Sequence, residues 1–457
     1  MTASAFPAAV PGRPMWLAAL AFAGLATALI CVPAWPGHMN YDGLYAYERS
    51  FAGIEHMTWP PTHTYLFWLS RKAGLGVGGL FVAQTFLLFL GAGLSASLLI
   101  RSRLWALAAM AAFATAFVAV PPMLGVAMAH WRDVTVASFA LASLALWLLA
   151  AHARRAALLL PAALMLGMSV SLRYNAFPLF ALIAPLMIWR PLLERRPTVA
   201  LRAFATLALV LGVGLAWASW QWRLPDFKRM PAAGTLYQIQ LFDLLGVSAC
   251  TDRNLLPPQV TAGRPITPAQ IREAYDPRHV QMAHEPGASD PPVLKTDGDG
   301  AVGRAWRAAI PRHLGCYLDH RRIVMVEQLG MAKRDVFYPV HGGIDANARG
   351  LALARPDLSR NVSAYVQRNA PEYWRRPALL YVLALGVAGL LALRRDPRAL
   401  LALALTGGAA ANLALLFLIG PAADARYIFP SNALCALVIA AGVAMLIEGP
   451  PTRKARR

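Results

Sequence analysis

Charge is what this 457-residue chain has least of: Asp, Glu, Lys and Arg make up 14% of it, against roughly 25% in soluble domains. Hydrophobic residues fill 58%, a balance that excludes an ordinary soluble enzyme. Acidic residues are the scarcer sign, 23 against 43 basic ones. Cysteine is sparse too, with four in all, too few for a scaffold held by disulfides. Cys31 and Cys435 fall in or beside apolar runs, where a buried thiol is the ordinary role. Cys250 and Cys316 share one long polar segment, and sequence leaves open whether they pair. The glycines of GLGVGG (74–79) open an apolar run with no strand before them, so they are no dinucleotide fingerprint. Small residues that let membrane helices approach account for them. Asp297–Gly298–Asp299 lacks the further carboxylates a calcium loop needs and reads as a solvated turn.

What the chain holds in quantity is apolar sequence of membrane length. The runs are 15–35, 76–100, 104–123, 134–151, 156–172, 175–189, 199–222, 377–393, 399–419 and 427–447. Crossing a ~30 Å hydrocarbon core takes about 20 such residues. The short pair 156–172 and 175–189 reads as two spans or as one broken hairpin. The first run exceeds the roughly 7–15 residues of a signal-peptide core, and no small-x-small site follows it, so it reads as a retained span. The expected fold is an all-α polytopic membrane protein of about ten transmembrane helices, with a small, mostly helical periplasmic domain between spans seven and eight. Residues 1–222 form the first membrane module, with its first periplasmic loop at 36–75. Residues 223–376 form the periplasmic domain, and 377–457 a second module of three spans. In the middle segment GTLYQIQLFDLLGVSAC and 304–332 have helical periodicity, the latter with Trp306, Ile310, Leu314, Tyr317 and Leu318 on one stripe.

Net charge is +20, and its placement matters more than its size. The basic short loops are 101–103, 152–155, 190–202 and 394–398, with the tail TRKARR, and they alternate along the chain. The positive-inside rule makes that side cytoplasmic, with both termini there. Topology and anionic headgroups explain the excess positive charge without nucleic acid.

Directly after the first run stands NYDGLYAYERSFAGIEHMTWPPTHTYLFW (40–68). Leu44, Tyr47, Phe51 and Ile54 give one apolar face at helical spacing, while Asp42, Tyr45 and Arg49 lie on another. That is a short helix along the membrane surface, redirected at Pro60–Pro61. Interfacial aromatics and a capping Asp42 would explain the loop without function. Three more polar clusters change the balance: His130–Trp131–Arg132–Asp133, Arg173–Tyr174–Asn175, and Asp424 with Arg426 and Tyr427. Each joins two spans on the same outer side, against the inward charge bias. An ion-coupled transporter would carry ionisable residues near the midplane, but the interiors of all ten runs hold no Asp, Glu, Lys or Arg. Arg forks suit a lipid phosphate, and a placed carboxylate suits deprotonation of a hydroxyl.

The order of these elements resembles the GT-C membrane glycosyltransferases, the superfamily of the lipid A aminoarabinose transferase and the protein O-mannosyltransferases. The likeness is nearest to bacterial members with a D…Q…G…DWHPP loop, a KDV tripeptide, an RHNA tetrapeptide and an RY..P element. Here these read Asp42…Gly53…Thr58–Trp59–Pro60–Pro61, Arg132–Asp133–Val134, Arg173–Tyr174–Asn175–Ala176 and Arg426–Tyr427–Ile428–Phe429–Pro430. The Asp and His before the prolines are lost, so His56 or His63 would stand in for that His.

The resemblance implies sugar transfer from a polyprenyl-phosphate donor to an envelope glycan, lipid or protein acceptor at the periplasmic face of a bacterial inner membrane. Asp42 would be the base, with Glu48 next in line. Arg132, Arg173 and Arg426 would hold the donor phosphate, and Asp133 would orient an arginine or help bind a metal. Glu48, Arg49, His56, His63, Asn175 and Tyr427 complete the expected substrate-binding set. Some GT-C enzymes use a divalent metal and some do not; no carboxylate cluster here favours one. An O-antigen ligase or polymerase, or a non-enzymatic lipid or polysaccharide transporter, are the alternatives.

Overall fold

The computed structural model describes residues 12–56, 60–193, 197–221, 228–230, 235–261, 265–278, 300–332 and 336–450. All ten apolar runs fall on helical chain. In order, the first half holds α1 (Arg13–Ala34), α2 (Tyr41–Ala52), α3 (Thr62–Lys72), α4 (Gly76–Leu99), α5 (Arg103–Ala119), α6 (Pro121–Ala127), α7 (Arg132–Ala153), α8 (Leu159–Leu172), α9 (Ile183–Trp189) and α10 (Val199–Gln221). The polar segment adds α11 (Thr235–Thr251), α12 (Pro268–Ala274), α13 (Ala301–Arg312), α14 (Leu314–Gln328) and α15 (Pro356–Asn369). The chain closes with α16 (Ala378–Leu393), α17 (Ala399–Ile419) and α18 (Phe429–Glu448). β1 (Ile54–His56) and β2 (Lys228–Met230) pair in parallel, Glu55 opposite Arg229.

Six helices are long and apolar enough to cross a membrane by length and composition, or seven if α5 and α6 count as one span. The run expected at 104–123 is not straight. Pro121–Pro122 cannot continue α5, because proline lacks the N–H and clashes with the preceding turn, and the chain turns by 92° into α6. Ala156–Leu172, Ala176–Trp189 and Ala378–Leu393 are shorter apolar helices. Leu25, Leu29, Leu207, Trp217 and Leu385 all stay more than half exposed. Such side chains would form an uncovered patch in water and are at home in lipid.

Packing between helices follows the small residues. A Cβ on Gly167 of α8 would fall 2.0 Å from the Gly212 carbonyl oxygen of α10, so the two backbones touch where only glycine fits. Gly78 has a different job from the helix contact expected of it: an added Cβ would fall 2.3 Å from the Trp35 indole.

The helices between α10 and α16 close over their own core of Leu241, Leu244, Leu256, Val260, Ile271 and Val302. Cys250 and Cys316 form a disulfide joining α11 to α14. The stripe expected over 304–332 is split, because the helix breaks at His313. Ile310 and Tyr317 are buried, whereas Leu314 is 52% and Leu318 42% exposed. Buried polar groups fasten this unit. Asp243 takes the guanidinium of Arg321 at 2.6 Å and accepts from the Trp306 indole at 2.7 Å. Arg321 also donates to the Gly420 carbonyl at 2.5 Å, and the Tyr317 hydroxyl donates to the Leu418 carbonyl at 2.9 Å, at the end of α17.

At the other ends of the membrane helices two of the basic loops meet at the end of α18. Arg398 pairs with Asp396 at 2.7 Å and with Glu448 at 3.5 Å, and Arg101 lies 3.7 Å from Glu448. Asp243→Ala leaves Arg321 buried without its partner, a loss of about 3–5 kcal/mol. The variant is expected to unfold in detergent several degrees below wild type. An unchanged melting temperature would show that this pair does not fasten the unit.

Candidate functional site

The site is built where α2, α7 and the start of α18 meet. Asn40 caps α2, its side chain accepting from the Gly43 amide at 3.3 Å, and Gly53 ends the helix at φ 61. Gly53 supplies the left-handed conformation that closes a helix cheaply. The helix therefore stops before Ile54, which the expected apolar face included. Leu44 and Tyr47 are buried, while Phe51 lies at the surface under the guanidiniums of Arg71 (4.2 Å) and Arg349 (3.9 Å). Asn40 Oδ1 also accepts from the Trp131 indole at 3.1 Å, which ties α2 to the beginning of α7. Asp42 is not the cap of its helix. Its carboxylate reaches Arg426 Nη1 at 2.6 Å, across 384 residues of sequence.

Arg426 is held from a second side by Asp424, whose carboxylate lies 2.7 Å from Nε and also accepts from the Arg426 amide at 3.0 Å. Arg173 follows the last residue of α8 and pairs with Asp133 at 2.9 Å. Its guanidinium lies 4.5 Å from the centre of the Tyr427 ring, and Arg426 lies 5.2 Å from the same ring and 5.4 Å from Trp131. Asp133, in the first turn of α7, suits the positive end of the helix dipole, and Arg132 opposes it. Helix stability gives no reason for an arginine there. The preceding turn is pinned by Gln84, which donates to the Ala129 carbonyl at 3.0 Å.

Asp42, His63, His130, Trp131, Arg132, Asp133, Arg173 and Arg426 line one small cavity that opens to the surface. Its interior amounts to about 10 Å³, room for about one water, so an anionic group would meet these side chains at the mouth. His63 arrives because Pro60–Pro61 turn the chain into α3, where Thr62 Oγ1 donates to the Ser171 carbonyl at 3.0 Å. It is 1% exposed, and neither ring nitrogen has a hydrogen-bond partner among the described residues. Arg132 and Asp133 are buried as well.

Two expected residues do not join the group. Glu48 and Arg49 lie further along α2 and do not line the cavity, and Arg49 stacks at 4.5 Å on Tyr45 instead. Thr58, Trp59 and Asp297–Asp299 lie outside the described residues, as do the side chains of His56, Tyr174 and Asn175. Three residues at the site were not singled out as ligands from sequence. His130 and Trp131 adjoin Arg132, so adjacency was a usable signal. Tyr338, 5.9 Å from Trp131 between ring centres, comes from a distant loop with no motif around it. Among the described residues no group of three or more His, Cys, Asp or Glu is placed to hold a metal ion.

The electrostatics follow from burial and pairing. Burial opposes ionisation of Asp42, but Arg426, Arg132 and Arg173 outweigh it and hold its carboxyl below the ordinary 3.8. Burial pushes Asp424 up to about 6, against the pull of Arg426. Burial, with Arg132, His130 and Arg173 nearby, keeps His63 well below 6.5 and therefore neutral. Burial also lowers His130 and His38 to about 4. His38 Nδ1 donates to the His341 carbonyl at 2.5 Å, and its Nε2 lies 2.6 Å from the Ser359 hydroxyl, which can donate to the neutral ring.

No protein-family model matches the chain, and no curated protein matches it. Two solved structures share a likeness with it. ArnT from Cupriavidus metallidurans in the apo state is 18% identical, covers 88% of this chain and 77% of that chain, and gives a TM-score of 0.33. The same protein bound to undecaprenyl phosphate is 17% identical, covers 89% and 77%, and gives 0.31. Scores that low do not carry the geometry of one site to another, so the site stands on its own contacts.

The histidine values set a pH dependence. A histidine that titrates near 4 when folded and 6.5 when free takes up protons preferentially in the unfolded chain, so stability falls as pH drops from 6.5 towards 4. Asp424 acts in the opposite sense between 3.8 and about 6. His63 shifts in the same sense, so three histidines outweigh one aspartate, and acidification is expected to destabilise the protein. Thermal unfolding in detergent from pH 7 to 4 checks this. His130→Gln should flatten the slope, and an equally steep slope in the variant would refute the assignment.

Proposed function

We propose that this protein is a GT-C-type membrane glycosyltransferase, transferring a sugar from a polyprenyl-phosphate donor to an envelope acceptor at the periplasmic face of a bacterial inner membrane. The observation that carries the reading is the convergence of Asp42, Arg132, Arg173 and Arg426, from four separate stretches of chain, on one cavity. Its depth supports the compartment. α18 has 20 residues and so runs about 30 Å from the cavity end at Arg426 to Glu448, which binds Arg101 among the basic loops. That length matches the hydrocarbon thickness, so cavity and basic pole lie at opposite membrane faces. A disulfide between Cys250 and Cys316 agrees with an oxidising compartment on the cavity side.

The chemistry follows from the charges. The acceptor hydroxyl attacks the anomeric carbon and gives its proton to Asp42, while the bond from that carbon to the phosphate oxygen breaks. Direct displacement of this kind inverts the anomeric centre. The donor phosphate leaves as a monoester, its charge growing from one to two negative, and arginines already aimed at it stabilise that growth. Asp133 holds Arg173 in place. His63, neutral and unpartnered beside Arg132 and Arg173, offers an N–H to the same phosphate, which satisfies a buried group that otherwise costs about 1–3 kcal/mol.

Mass spectrometry of envelope glycolipids and glycans tests the reading in cells with the protein, without it, and with Asp42→Asn. One glycosylated species is expected to vanish without the protein. It should stay missing, or fall about 10²–10⁴-fold in rate of formation, with Asp42→Asn. Full transfer by Asp42→Asn together with loss in Arg173→Gln would favour a ligase-type enzyme led by arginines.

A further inference from the structure

Three arginines and three aspartates meet at the cavity, so the cluster is charge-balanced as it stands. Arg132, Arg173 and Arg426 face Asp42, Asp133 and Asp424, and the neutral rings of His63 and His130 complete the wall. An anionic ligand cannot simply be added to such a set. Either it stays unpaired or one carboxylate gives up its arginine. The three acids are not equally able to yield. Asp133 and Asp424 have side chains only 2% and 7% exposed, and Asp424 is fixed by its bond to the Arg426 amide. Asp42 is 26% exposed at the cavity edge, and its ion pair with Arg426 is its recorded hydrogen bond. Water can receive it when it lets go.

Resting on the function proposed above, we infer that the donor phosphate takes Arg426 from Asp42, and that this exchange releases the base. The phosphodiester carries one negative charge and replaces one carboxylate, so the balance of the cavity is kept. Before the exchange Asp42 is a poorer proton acceptor, because its Oδ2 is committed to a guanidinium. Afterwards it stands beside the bound sugar with that commitment removed. Arg426 would then have two successive partners, and the base would act only where a donor is present.

Binding of the methyl ester of geranylgeranyl phosphate, a phosphodiester with one negative charge, to the purified full chain in detergent tests the inference without any turnover. Removing the competing carboxylate is expected to strengthen binding, about tenfold for Asp42→Asn and in the same direction for Asp42→Ala. Arg426→Gln is expected to weaken it by at least as much. Two substitutions are used so that a folding defect in one leaves the comparison standing. Saturable binding to wild type with equal or weaker binding to both Asp42 variants would overturn the inference and leave the functional reading intact. Binding no stronger than that of the uncharged prenol to wild type would overturn both.

Discussion

The contact between Asp42 and Arg426 is the constraint on which the site depends. It joins the first helix after span one to the turn before α18, so the first and last parts of the chain must be in register for it to form. α2 holds its position through Asn40, which serves its own helix and the Trp131 indole at once. Arg426 holds its position through Asp424. Neither partner is free to wander, and the cavity between them takes its shape from that.

Burying this many charges is expensive, and the structure meets the cost by pairing. A buried ion pair rarely adds net stability over an apolar equivalent, so a cluster of six charged side chains is poorly explained by folding. The same logic separates this cluster from the one around Asp243. There Arg321, Trp306 and His320 close on the carboxylate, with Tyr275 bonded to His320 behind it, and the arrangement fastens helices. At Asp42 a cavity opens, the His63 ring nitrogens lack a hydrogen-bond partner among the described residues, and an arginine sits at a helix N-terminus where the dipole opposes it.

Much of the membrane architecture was legible in the sequence, because lipid demands long apolar helices and leaves little choice of pattern. Ten apolar runs all turned out helical, and the all-helical class follows from them. What the pattern did not carry was local geometry. Hydropathy runs through 104–123 without pause, yet Pro121–Pro122 turns the chain there by 92°. The stripe from Trp306 to Leu318 has helical spacing, yet His313 divides it, and Leu314 and Leu318 are left exposed. At the site, short motifs at span ends pointed to Asp42, Arg132, Arg173 and Arg426, since charges on the less basic side need a reason. Glu48 and Arg49 shared that helix and its polarity, and only the direction of each side chain separates them from Asp42. Asp424 stood in the same short cluster as Arg426, whereas Tyr338 reaches the site through folding of distant chain, a relation no local pattern records.

The account reduces to one physical claim: an anionic lipid phosphate occupies the cavity among Arg132, Arg173 and Arg426. Cryo-electron microscopy of the protein saturated with a polyprenyl phosphate addresses it most directly. Density for the phosphate between those three guanidiniums, with the prenyl chain leaving through the mouth towards the lipid, is the predicted result. A phosphate bound elsewhere, with the cavity unchanged, would contradict it.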